Sequence, residues 1–214
     1  MTRKSRLRTI TSLVIIGACA YTMAGGLTIL RYLVSNSADT AEGAKTLHDY
    51  ADVFPVHYLA RQTLAQRASQ GQPAQMIEPF ASLLSVTPAD GAAWLTLAEA
   101  EAYAGKPTDQ VVRALAMSSL TAPSEARVMK ARALFTLQIW NNVPPEAQGV
   151  FVGDLIWAFR INDFSQEEIA YLRAGLARLP EDARRRVITQ LQAESRRGEQ
   201  VLDELKLQDS VAPP

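Results

Sequence analysis

The residues from Ile10 to Leu30, ITSLVIIGACAYTMAGGLTIL, contain no charged side chain and follow Arg3, Lys4, Arg6 and Arg8. This feature constrains the chain more than any other. A helix rises about 1.5 Å per residue, so the segment reaches roughly 31 Å, close to the ~30 Å hydrocarbon core of a bilayer. Inside a bilayer the backbone must pair with itself, and a single helix does so. Four cations precede the apolar run and only Arg31 directly follows it, which favours an N-terminus kept in the cytoplasm and a remainder sent across. The expected organisation starts with a basic cytoplasmic tail at residues 1–9, a transmembrane helix at 10–34 and a juxtamembrane helical segment at 35–54, with Ser37 or Asp39 as its cap.

Two processing alternatives compete with a retained anchor. Ala18-Cys19-Ala20 resembles a small-residue cleavage site, and Ile16-Gly17-Ala18-Cys19 resembles the acceptor of a lipid-modified cysteine, which would give a processed lipoprotein or a secreted helical protein. Either cut would leave the apolar Tyr21–Val34 stretch on the mature chain, whereas polar sequence normally follows such sites. Retention is therefore the expectation. Cys19 is the one cysteine, so no disulfide within the chain can form. Ala18, Thr22 and Gly26 recur every four residues, a spacing that lets another helix approach closely, although small residues are common in such spans and ordinary lipid contact is the preferred reading.

Five of the 22 cations lie at or before Arg31 and none of the 22 acids does, so residues 32–214 carry a net charge of −5. A mildly acidic exterior has no general attraction for phosphate backbones, and no motif or aromatic interleaving suggests nucleic acid. The run Arg184-Arg185-Arg186, with Arg196 and Arg197 beyond it, reads as a solvated helix face. Successive helical residues point about 100° apart, and Glu181, Asp182, Glu194 and Glu199 dilute the charge.

The exterior contains a repeat. Gly71-Gln72-Pro73 and Gly105-Lys106-Pro107 are separated by 34 residues, while Pro55, Pro88 and Pro123 are spaced by 33 and 35. Glycine can end a helix in a left-handed conformation, and proline suits the first turn of the next one. Each interval then holds two helices and a turn, the period of stacked helical hairpins. Helices are expected near 56–70 and 73–86, 89–104 and 108–121, and 124–140 and 145–160, with Thr108 and Ser124 as N-caps. Ser165 and Glu168 form a capping-box pattern before a further helix, and Pro180 separates it from a long one starting near Glu181. Residues 161–207 would thus cap the stack, and 208–214 would be a disordered tail. Strand patterns are missing, so the fold class is all-α.

The chain resembles the tetratricopeptide-repeat family, a stack of helical hairpins that binds proteins. In the central unit Trp94, Leu97 and Ala98 match the first helix of that family, Gly105 closes it and Pro123 ends the unit. Glu101 stands where an aromatic is usual, VVRALAMSSL lacks the family's alanine spacing, and Pro79 should kink or delay the second helix of the first unit. The resemblance covers residues 55–160. It implies a groove lined by the first helix of each hairpin: Tyr58, Arg61 and Ala65, then Ala92, Leu95, Glu99, Ala102 and Tyr103, then Arg127, Lys130, Leu134 and Gln138. Of these, Tyr58, Arg61, Leu95, Tyr103, Arg127 and Lys130 are the candidate partner residues. Arg61, Arg127 or Lys130 would hold an extended peptide or a chain-terminal carboxylate.

Catalytic groups are few. His48 and His57 are the only histidines, no phosphate loop or nucleophile elbow occurs, and His48 with Asp52, four apart in HDYAD, supplies at most two metal ligands. Leu134, Leu137, Ile139, Trp140, Phe151, Leu155, Ile156, Trp157 and Phe159 read as core. The expectation is a non-enzymatic scaffold or adaptor, without cofactor or metal, anchored in a bacterial inner membrane with its domain in the periplasm. It would contact a membrane-associated protein during envelope or surface-polysaccharide assembly. A polysaccharide-binding accessory is the alternative and needs accessible Trp94, Trp140 or Trp157.

Overall fold

The computed structural model describes residues 3–37, 41–160, 164–194 and 196–207. Eleven α-helices and one short 3-10 turn, and no strand, occur among the described residues. The chain divides into two compact units, Met1–Val86 and Thr87–Pro214. Asp39 and the tail at 208–214 lie outside the described residues.

The first unit holds α1 (Arg3–Ser37), α2 (Ala41–Tyr50), α3 (His57–Ala68) and α4 (Pro73–Val86). Within α1, Leu13–Leu33 is long and apolar enough to cross a membrane. Thr22 and Thr28 donate their hydroxyls back to the Cys19 and Ala24 carbonyls, each at 2.9 Å, so neither leaves a polar group open to lipid. Among residues 13–33 only Gly25, Thr28 and Tyr32 are less than exposed, and their i, i+3, i+7 spacing puts them on one stripe. Tyr32 is buried in a cluster with Leu47, Val56 and Ala60, and its ring meets that of Tyr50 edge-on at 6.2 Å.

The juxtamembrane segment departs from its sequence pattern. Ser37 ends α1 rather than capping a new helix, and α2 stops at Tyr50, so Asp52 leaves the helix that carries His48. The helix α4 runs through Pro79 without interruption. An internal proline costs about 3 kcal/mol. Phe80, Leu83 and Leu84 are all buried, and at roughly 2 kcal/mol each their packing outweighs that loss.

The second unit holds α5 (Gly91–Tyr103), α6 (Thr108–Thr121), α7 (Ala126–Gln138), a 3-10 turn (Trp140–Asn142), α8 (Pro145–Arg160), α9 (Gln166–Arg178), α10 (Glu181–Ala193) and α11 (Arg196–Leu205). Neighbours α5 and α6 pack together, as do α7 and α8. Helix α7 also meets α5 and α9, while α10 and α11 close over α8. The core runs from Trp140, Phe151 and Leu155 through Leu172 and Leu176 to Leu191 and Leu205. Of the expected core residues, Leu134 and Ile139 are half-buried, and Trp157 is exposed, with the Arg160 guanidinium 4.6 Å from its ring centroid.

One charged pair is fully enclosed. Arg132 on α7 donates from Nε and Nη2 to the two carboxylate oxygens of Asp154 on α8, both at 2.7 Å, and from Nη1 to Ser118 Oγ on α6 at 3.2 Å. The Arg132 and Asp154 side chains are only 2% and 3% exposed, so this fork joins three helices without help from water.

Helix ends follow their punctuation unevenly. Gly105 has φ +68 and closes α5: its amide donates to Ala102 O at 3.1 Å, and that of Lys106 reaches Glu101 O at 2.8 Å. This pair of bonds requires a left-handed residue, which glycine adopts without steric penalty. Thr108 and Ser124 do not cap. Pro107 and Glu125 occupy those positions, and neither makes a side-chain cap bond. Asp90 does cap, accepting from the Ala93 amide at 2.9 Å.

The capping box at α9 forms as the sequence indicates. Ser165 Oγ accepts from the Glu168 amide at 3.2 Å, and Glu168 Oε2 accepts from the Ser165 amide at 2.7 Å. The Ser165 amide, aided by Lys130, holds the Glu168 carboxyl below its ordinary 4.5. A depressed folded value contributes stability that is present above the unfolded value and lost as pH falls through the folded one. The expected result is a melting temperature that drops on acidification below pH 4.5, with part of that drop absent in Glu168→Gln, which keeps a reach-back acceptor but cannot titrate. Thermal melts across pH check it; identical acid sensitivity in both chains would contradict it.

Candidate partner cleft

Helices α5, α7 and α9 each present one edge to a cleft of about 490 Å³ in the second unit. Its apolar wall is Leu134 and Phe135, and its polar rim is Glu99, Gln138, Glu167, Glu168 and Tyr171. Tyr103 stands above Phe135 with ring centroids 6.3 Å apart and donates its hydroxyl to Gln138 Oε1 at 2.9 Å. Tyr103 and Tyr171 remain exposed. The cleft therefore joins two tyrosine rings, an apolar floor and three carboxylates.

The electrostatics oppose the expectation of a cationic groove. Lys130 lies 3.3 Å from Glu168 Oε1, so its charge is already met by a carboxylate of the same wall. Burial raises the Glu99 carboxyl above its usual range. A surface with these groups receives a cation or hydrogen-bond donor more readily than a carboxylate.

The expected residues separate into distinct roles. Glu99, Leu134 and Gln138 line the cleft, and Tyr103 adjoins it through Gln138. Arg127 is exposed at the start of α7 and outside the lining. Leu95 is buried in the core, because the face of α5 that contains it packs inward, and Ala65 is buried likewise in the first unit. Tyr58 is exposed in the first unit. Arg61, also there, is turned inward: Nε donates to Ala51 O at 2.8 Å, Nη1 to Ser82 O at 3.0 Å and to Ser85 Oγ, and Nη2 meets Asp52 Oδ1 at 2.6 Å. It fastens the α2–α3 turn to the C-terminal end of α4, where helix carbonyls favour a cation.

Glu167 and Tyr171 were not expected in a groove because α9 reads as a cap. The signal is present in their i, i+4 spacing opposite the buried Ile169, Leu172 and Leu176.

Other candidates are dispersed. His48 is exposed on α2, while His57 is half-buried and stacks on Phe54 at 6.1 Å. Among the described residues no three His, Cys, Asp or Glu groups gather as a metal ion would need. Trp140 is buried, and Trp94 donates its indole NH to Pro88 O at 2.9 Å, so the three tryptophans form no shared platform. The arginine run is neutralised locally, with Arg185 2.7 Å from Glu181 and Arg186 2.8 Å from Asp182.

Compared with models of protein families, with curated proteins and with solved structures, the chain matches none.

Proposed function

We propose that the chain is a non-catalytic adaptor, held by α1 in a bacterial inner membrane with its helical units in the periplasm. There it receives a segment of a membrane-associated protein in the α5/α7/α9 cleft. The observation that carries this reading is the cleft itself, where exposed Tyr171 and three carboxylates border an apolar wall and exposed Tyr103 adjoins it through Gln138. Its chemistry fits a segment bearing a lysine or arginine beside an apolar side chain, the ammonium or guanidinium meeting Glu99 and Glu167. The 34-residue recurrence and the contact of α7 with both α5 and α9 support a stack resembling tetratricopeptide repeats. Service in envelope or surface-polysaccharide assembly is the pathway this design suggests.

A photoreactive residue at Gln138 or Tyr171, activated in intact membranes, tests the reading. The expected result is a discrete crosslinked partner at both positions but not at Thr189, reduced at least tenfold by Glu99→Lys with Glu167→Lys, since each charge-assisted contact contributes about 1.5–3 kcal/mol. Crosslinking that is absent, or unchanged by the charge reversal, would overturn it.

A further inference from the structure

Outside α1, every exposed large hydrophobic residue described in the first unit falls within seven positions: Val53, Phe54, Tyr58 and Leu59. Phe54 is 67% exposed, the most of the four. Such a concentration marks a surface meant to be covered. Its place in the fold says by what. Tyr32, one residue before the end of the Leu13–Leu33 stretch, donates its hydroxyl to the Leu59 carbonyl at 3.0 Å and lies 2.8 Å from Thr63 Oγ1. The first turn of α3 is thereby fixed within a hydrogen bond of the last turn of the apolar stretch. Tyrosine at that depth belongs to the headgroup boundary, so Leu59 and its neighbours stand at the same level.

We propose that Val53, Phe54, Tyr58 and Leu59 enter the headgroup region of the bilayer that α1 crosses, so that the first unit lies on the membrane surface. The inference rests on α1 being a membrane span. Arg61 serves it twice. Its bonds to Ala51 and Ser82 hold the turn bearing Val53 and Phe54 in one position, which limits the entropy lost on insertion. Its 2.6 Å pairing with Asp52 offsets a carboxylate adjoining the patch, which anionic headgroups would otherwise repel.

The test places nitroxide labels on the full-length chain in vesicles of phosphatidylethanolamine and phosphatidylglycerol, in a Cys19→Ser background. Ile16→Cys, Phe54→Cys and Tyr58→Cys all alter exposed side chains outside the buried cluster of the first unit. Relaxation by oxygen, which concentrates in lipid, is compared with relaxation by a water-soluble nickel chelate. The expected result is an oxygen-to-nickel ratio at Phe54 and Tyr58 several-fold above that of free label in buffer, and a higher one still at Ile16. A lipid ratio at Ile16 with the buffer ratio at Phe54 and Tyr58 would overturn the inference while leaving the anchor. A buffer ratio at Ile16 would overturn the anchor and the inference with it. Protection of Phe54 and Tyr58 from both reagents would show a second copy of the chain covering the patch, and would also overturn it.

Discussion

Asp154→Ala is expected to remove about 3–5 kcal/mol of stability, because it strands the Arg132 guanidinium, only 2% exposed, inside the second unit. For a chain of this size that is roughly 6–20 °C of melting temperature. Burial pushes the Asp154 carboxyl up and the Arg132 fork pulls it back down, so the carboxylate depends on its partner as much as the cation does. The loss is therefore a property of the broken pair and not of the interaction alone. Replacing both, Arg132→Met with Asp154→Leu, should recover most of it, because apolar groups of similar volume require no desolvation of charge. Ser118 Oγ then loses one donor at 3.2 Å, a smaller effect of about 1 kcal/mol. Thermal melts of the detergent-solubilised chain, followed by circular dichroism, check both arms; a mild single variant or an unrecovered double variant would contradict this account.

Gly198→Ala sets two effects against each other. Alanine in a helix interior is favoured over glycine by about 1 kcal/mol, and Gly198 lies within α11. A Cβ there, however, would sit closer to the Leu191 carbonyl oxygen than any non-bonded carbon does, and the obstacle is backbone rather than a flexible side chain. Helices α10 and α11 would have to separate, and overpacking of this kind costs about 1–3 kcal/mol or more. The expected net loss is about 2 kcal/mol, read by the same melts. Gly149→Ala on α8, where nothing lies within 4 Å of the added carbon, supplies the contrast and should be neutral or slightly stabilising.

The reach of the sequence can be judged from these same elements. Helix positions were legible because glycine and proline act locally: Gly105 does adopt a left-handed φ, and the Ser165–Glu168 box forms as its spacing implies. Thr108 and Ser124 mislead because a cap depends on where the helix starts, and each helix starts one residue away from where those side chains could serve. The chain also breaks after Ala193, where Gly198 comes close to the Leu191 carbonyl, instead of continuing as one long helix from Glu181.

Cleft residues were legible only in part. Glu99, Leu134 and Gln138 were implied by the tetratricopeptide resemblance alone, and all three line the cleft. The partners of the charges were not legible, because an arginine bonds to whatever acceptors the fold supplies. For Arg61 those are Ala51, Ser82, Ser85 and Asp52, and for Arg132 they are Asp154 and Ser118. Pairs 22 residues apart, such as Arg132 and Asp154, have no signature in spacing. The same holds for the Tyr32–Leu59 bond that joins α1 to α3.

Membrane attachment through an uncut α1 is the claim on which function and location both depend. Carbonate washing of isolated membranes followed by intact-mass measurement of the retained chain tests it most directly. The account predicts a wash-resistant protein of the full 23.4 kDa that keeps its apolar N-terminal helix. A soluble product beginning near Tyr21 would contradict it.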